Sequence, residues 1–441
     1  MIFGFLKSKQ KIKTDAKQNP PEKLRVLVAY SSESLSMLAM PKILNALKTR
    51  PFFEIITAPE EKIFSTFDHK NFFDIWDGGL QLLKRHNGEV LIRVCSANDF
   101  VRVYFQAPQM YQSDKIPFFS LSNSLLMPMD YFKGDQIPLQ ICALIFGILI
   151  VLAKKESDFY QAELKKILHV LSRNKMPENT PSAFLPHILN LLALIYMKVY
   201  GQAFCQKDAK LILCFLKSGF KNAGKDDLVL QGNLYACLGQ MYQTTLNDQK
   251  ADSLVLLKRG IESYKKALKY FNRYVFMYDY GRLNLVLSNL YFHFYHLTDD
   301  TQALRDAIAY LKNAEQVFTF SGHPFLWAVI EDKLGKYLSD LGAKSASKEI
   351  AAMAVEYLKN KQKVYTKEYA PDMWAQTEAD IGAIYDHLGR EYFNAGLLDK
   401  ALSCYESALE VFRDLNQTPK IAELENTIAR TTDVFHYHNR F

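Results

Sequence analysis

The sequence predicts a mainly α-helical protein: a small α/β domain in front, then an α-solenoid of antiparallel helix pairs. Three observations carry this. Strand-like apolar runs are confined to the first third of the chain. Glycine and proline are scarce, 19 and 15 in 441 residues, against abundant Leu, Ala, Lys and Tyr, a balance that favours helix. The C-terminal part repeats itself every 47 residues: Pro324-Phe325-Leu326-Trp327-Ala328 returns as Pro371-Asp372-Met373-Trp374-Ala375. A period of this size marks stacked repeats, whose extended surfaces bind other proteins more often than they catalyse.

Residues 1–23 read as a polar, basic leader. Seven Lys and Arg against two acidic residues place +5 of the chain's formal +7 between positions 7 and 25. The remaining residues therefore lack the concentrated basic face of a duplex-binding domain, and no nucleic-acid partner is expected. The apolar start, Met1 to Leu6, is too short for a secretion signal and precedes the basic residues instead of following them. Six cysteines lie scattered through apolar runs with no Cys-x2-Cys pair. Buried thiols in a reducing, cytoplasmic setting are the expectation.

Residues 24–155 read as the α/β domain. Val26 to Tyr30 is a buried strand, Leu35 to Leu47 has helical spacing, and Phe53 to Thr57 is a second strand. A helix around Ile75 to Arg85 leads into Val90 to Val94, and Asn98-Asp99 turns the chain into Val101 to Phe105. Arg93 and Arg102 alternate with aliphatic neighbours, which suits a half-exposed sheet, and Phe118 to Leu126 is a further strand candidate. Ile141 to Ala153 is an uninterrupted apolar run of 13 residues. It would span roughly 20 Å as a helix against about 30 Å of bilayer hydrocarbon. A buried helix on the sheet is the preferred reading, and membrane attachment is the alternative.

From residue 156 to 430 apolar residues recur three and four apart, and within this stretch four 47-residue units and a degenerate fifth cover about residues 185 to 412. Leu334-Gly335 maps onto Ile381-Gly382, Leu341-Gly342 onto Leu388-Gly389, and Ala354 onto Ala401. One period earlier stand Ala307, Leu311 and Ala314, and before them Gly260, Tyr264 and Ala267. Leu238-Gly239-x2-Tyr242 lies two residues out of register, and Ala193-x2-Tyr196 with Phe215 suggests a degenerate first pair. Small residues at fixed positions let antiparallel helices approach closely. Residues 431–441 are expected to form a tail.

In this pattern of Pro-x2-Trp-Ala, Leu-Gly, Leu-Gly and Ala-x3-Tyr, the chain resembles tetratricopeptide repeat (TPR) proteins, in particular the bacterial class with long units. The resemblance implies a non-enzymatic scaffold that grips a protein or peptide on the concave face lined by the first helix of each pair. On that basis Asn289, Phe292, His296, Asp386, Arg390 and Phe393 are the candidate contacts. The Lys-x3-Asn spacing of chaperone-binding members occurs only at Lys175 to Asn179, in a proline loop, so a terminal-carboxylate clamp is not predicted.

No catalytic, cofactor or metal residue is assigned. Ser31-Ser32-Glu33-Ser34 after the first strand lacks the glycines of a phosphate cradle. In His436-Tyr437-His438 the two histidines point different ways on a helix, and Trp76-Asp77-Gly78-Gly79 reads as a turn. The alternative function is an enzyme or ligand sensor with a small molecule at the carboxyl ends of the strands, its access regulated by the repeats.

Overall fold

The structure is a computed structural model describing residues 22–30, 34–59, 72–97, 100–108, 124–153, 157–173, 180–246 and 252–438. The leader up to residue 21, Ser31 to Glu33, the Asn98-Asp99 turn, the first part of the Phe118 segment and Lys175 to Asn179 lie outside these residues. The chain is mainly helical with one small sheet, and it divides into two compact units, Met1–Leu283 and Asn284–Phe441.

In the first unit, β1 (Leu24–Tyr30) pairs in parallel with β2 (Phe53–Pro59) and with β3 (Val90–Ala97). The antiparallel β4 (Phe100–Gln106) and β5 (Ser124–Pro128) complete the order β2-β1-β3-β4-β5. Helices α1 (Ser34–Lys48) and α2 (Phe72–Arg85) connect the parallel strands. The Trp76-Asp77-Gly78-Gly79 segment is inside α2 and is not a turn.

Arg93 also departs from expectation. It is 2% exposed, and its Nη1 donates to Gln106 Oε1 at 3.1 Å. The reason is α2, which lies so close that a Cβ on Gly79 would sit 2.8 Å from Arg93 Nη2. That face of the sheet is covered, so the alternation of Arg with aliphatics marks a buried polar contact.

The apolar run forms α3 (Leu139–Leu152), and 11 of its 14 residues are buried. It packs against protein on several sides. Phe146 meets Phe53 of β2 at 5.6 Å. At Gly147 an added Cβ would meet side chains of Ile167 on α4 (Asp158–Arg173) and Ile195 on α5 (Leu185–Tyr200). Among the described residues no helix is long and apolar enough to cross a membrane.

Behind α5 follow α6 (Gln206–Asn222), α7 (Leu228–Thr245) and α8 (Ser253–Tyr270). The α7/α8 pair is antiparallel, with Gly232 against Phe271 and Gly239 against Tyr264.

The second unit begins within α9 (Met277–Thr298). It continues through α10 (Thr301–Glu315), α11 (Pro324–Ser345), α12 (Lys348–Gln362), α13 (Pro371–Glu391), α14 (Ala395–Asp414) and α15 (Thr418–His438). The helix starts keep the sequence period: 277, 324, 371 and 418 for one set, 301, 348 and 395 for the other. Helix α7 starts 49 residues before α9, the same two-residue slip read from Gly239.

The turns repeat as well. Asp299, Ala346 and Phe393 have φ of 56°, 47° and 50°, the left-handed residue that ends a helix. Each is followed by an N-cap, Asp300, Ser347 or Asn394, whose side chain accepts from a backbone N–H of the next helix. One 47-residue unit thus comprises a 22-residue α11, a two-residue turn, a 15-residue α12 and an eight-residue return.

The interior of each pair repeats the same contacts. Gly335 meets Leu358, and Gly382 meets Tyr405, where an added Cβ would sit only 2.6 and 2.7 Å from those side chains. Asn313 Nδ2 donates to Asn284 Oδ1 at 3.2 Å, and 47 residues on Asn360 Nδ2 donates to Glu331 Oε2 at 2.8 Å. As one partner rises along the first helix the other falls along the second, so the pairs are antiparallel. Residues 431–441, expected as a tail, are helical to His438. Helix α15 begins one period after α13.

Candidate partner-binding face

The candidate residues lie on the first helices of the second unit and on one turn. Asn289, Phe292 and His296 follow one stripe of α9 at i, i+3 and i+7. Phe292 is not a free contact. It stacks on Tyr337 of α11 with ring centroids 3.8 Å apart and planes at 15°, and His296 meets its edge at 4.3 Å. Asn289 is half-buried, and its Oδ1 is enclosed without a hydrogen-bond partner among the described residues. His296 is exposed. It lies near Asp340, whose carboxyl burial raises while His296 and Lys344 oppose the rise.

Helix α11 adds residues that the sequence reading did not single out. Lys336 stands 47 residues after Asn289 and bridges two carboxylates, Asp332 at 3.1 Å and Asp380 of α13 at 3.5 Å. Asp332 also receives Lys361 of α12 at 2.8 Å, with the Lys361 side chain 5% exposed. Burial raises the Asp332 carboxyl, but Lys361 and Lys336 outweigh it and hold the group below its ordinary value. Asp380 further accepts from Gln376 at 3.2 Å.

On α13, Arg390 Nε donates to both oxygens of Asp386 at 2.9 Å, and its Nη2 reaches Thr431 of α15 at 3.4 Å. This pair is satisfied internally. Phe393 corrects an expectation: it lies beyond α13, at the left-handed residue of the turn, and is 76% exposed. Its ring lies 5.2 Å from that of His438.

The structure therefore brings Phe292 and His296 together, and Asp386 with Arg390. It does not join the two groups; α11 stands between them. Adding the period to Asn289, Phe292 and His296 gives Lys336, Ser339 and Ala343, and adding it again gives Ala383, Asp386 and Arg390. At the second and third of these positions α11 carries the small Ser339 and Ala343 where its neighbours carry Phe292 and His296 or Asp386 and Arg390, and at the first it carries the half-exposed Lys336. Lys336 was legible from the register alone. Asp332 and Lys361 were not, because they have no charged counterpart at the same position one period away, and the counterpart of Asp380, Lys333, has the opposite charge.

The first unit holds a second polar assembly near the carboxyl end of β3. Arg102 of β4 lies 3.5 Å from Ser124 of β5, and His187 Nε2 of α5 lies 3.4 Å from Asp227 Oδ2. Asp227 also caps α7 through the Leu230 N–H at 3.0 Å. Burial raises the Asp227 carboxyl, but His187, the cap bond and Arg102 together keep it low. These groups tie sheet to helices and use one another as partners. No group of three or more His, Cys, Asp or Glu able to hold a metal occurs among the described residues. Compared with models of known protein families and with curated proteins, the chain matches none.

Proposed function

We propose that the chain is a non-enzymatic scaffold: a TPR-like α-solenoid whose first-helix face, α9, α11, α13 and α15, holds an extended segment of a protein partner. The observation that carries this is the recurrence of one unit in space. Helix starts, left-handed turns, N-caps and an interhelical hydrogen bond all return at 47 residues. Stacking of such units builds an extended surface in place of a single pocket. A partner's backbone would lie over Ser339 and Ala343 of α11, between the Phe292–His296 group and the Asp386–Arg390 pair, with Lys336, 48% exposed, facing an acidic side chain. The polar assembly around Arg102 and Asp227 is self-satisfied, which favours a structural role for the α/β layer over a catalytic one. Absence of disulfides among the six cysteines suits a reducing compartment.

The test is affinity capture with the full chain. His296→Ala, Lys336→Ala and Arg390→Ala are combined in one variant, and Lys312→Ala with Lys359→Ala on the second helices form the control. The expected result is at least roughly tenfold weaker capture by the first variant alone, equivalent to about 1.4 kcal/mol. An unchanged set of captured proteins would refute the assignment of this face.

A further inference from the structure

Glu331 is the most anomalous ionisable residue of the second unit. It is fully buried on α11, its Oε2 accepts from Asn360 of α12, and its Oε1 is enclosed without a donor. The group beside it is the carboxyl of Glu315, the last residue of α10. Glu315 is only half-buried, but its charge adds to the cost of ionising the fully enclosed Glu331, and a proton on Glu331 removes that cost. One period earlier the equivalent position is Asn284, an amide that performs the same interhelical bond without charge. The repeat therefore does not require a carboxylate here.

We infer that Glu331 is a proton-operated latch at the joint of α10 with α11 and α12: a proton on its buried carboxyl closes the joint, and its loss pushes the joint open. The other charged and titratable neighbours do not remove the conflict. Lys361 on α12 is turned to Asp332, and Lys363 just beyond α12 offsets the pair only in part. Tyr357 of α12 has its own hydroxyl raised by burial, then by Glu315 and Glu331. On α11 itself, Asp332 is engaged by Lys361 and Lys336. Burial and Glu315 outweigh Asn360 and Lys363 and push the Glu331 carboxyl up to about 7 from 4.5.

The sign follows from linkage. The closed form binds the proton more tightly than the open form, so closure is complete at low pH and weakens as pH rises from about 5 to about 7, then levels. If opening returns the carboxyl to its ordinary affinity, the opening constant grows by up to roughly tenfold per pH unit inside that window.

Hydrogen exchange of the full chain between pH 5 and 8, corrected for intrinsic exchange, reads this directly. The wild type, Glu331→Gln and Glu331→Asn are measured in parallel, the last carrying the amide that α9 already uses. In the wild type, amides of α10 to α12 are expected to lose protection up to roughly tenfold per pH unit from 5 to 7, then hold steady. Amides of α13 and α14 stay level, and both variants stay protected in α10 to α12. The latch is refuted if the variants show the wild-type slope, or if α13 and α14 follow the same curve.

Discussion

If the 47-residue period exists because helices must touch at Gly335 and Gly382, one methyl group at either position should be costly despite its benefit to the helix. At Gly335 an added Cβ would lie 2.6 Å from Leu358 Cγ and 3.2 Å from the Ala354 carbonyl oxygen. Leu358 is 1% exposed and cannot swing away, and the carbonyl belongs to the α12 backbone. Overpacking of this kind costs about 1–3 kcal/mol, and the double conflict with a core branch point and backbone places it near the upper end. Alanine in place of glycine returns about 1 kcal/mol in helix propensity, so Gly335→Ala should lose about 2 kcal/mol net. Gly396, in the exposed first turn of α14, is the control: there the nearest atom to an added Cβ is Asn394 Oδ1 at 3.4 Å, an ordinary contact. Gly396→Ala should be neutral or gain up to about 1 kcal/mol. Urea unfolding followed by the fluorescence of Trp327 and Trp374, with Trp76→Phe as background, reports on the second unit. Equal or greater stability of Gly335→Ala than of the parent would refute close approach as the origin of the small-residue pattern.

The same position supplies a prediction of opposite sign in α9, where Ser288 stands one period before Gly335 and is fully buried with its hydroxyl unpartnered. Ser288→Ala should raise stability by about 1 kcal/mol, because an unmet buried hydroxyl disappears and helix propensity improves; a loss in the same urea experiment would contradict that. Lys361→Met removes the buried partner of Asp332 and should cost about 2 kcal/mol at neutral pH. Because Asp332 is held below its ordinary value, its contribution is present above pH about 4 and fades as pH falls. The gap between Lys361→Met and wild type should therefore narrow in acid, and a gap constant from pH 7 to pH 3 would show that Asp332 is not the source.

Much of the fold was legible because packing residues recur. Pro324 and Pro371 open helices at the first position, Gly335 and Gly382 admit the facing helix, and Ser347 and Asn394 cap the next one. Helical spacing to residue 430 was legible, but the place of α15 in the repeat was not, because its start, Thr418-Pro419-Lys420-Ile421-Ala422, replaces the tryptophan by isoleucine and shifts the proline by one. Ala422, Ile428 and, at the Gly335 and Gly382 position, Ala429 keep the register. Arg93 was misplaced for a different reason. Alternation along a strand says that two faces differ, but not that one of them meets water, and α2 covers the side that Arg93 occupies. Phe393 was assigned to a helix face by spacing alone, whereas the helix had already ended at Glu391.

The division of labour within a unit explains why the fold could be read and the partner could not. Positions that touch the facing helix must stay small or aliphatic in every unit, since each is enclosed by the same neighbours. Positions on the first-helix face meet no such constraint: the stripe reads Asn289, Phe292, His296 on α9, then Lys336, Ser339, Ala343, then Ala383, Asp386, Arg390. A face built this way can change its chemistry one helix at a time without disturbing the stack. On the proposed reading, specificity would reside in the non-repeating residues, above all Lys336 with its carboxylates Asp332 and Asp380. Those residues also join α11 to α12 and α13, so a partner that draws Lys336 away from Asp380 would act on the same joints that hold the helix pairs together.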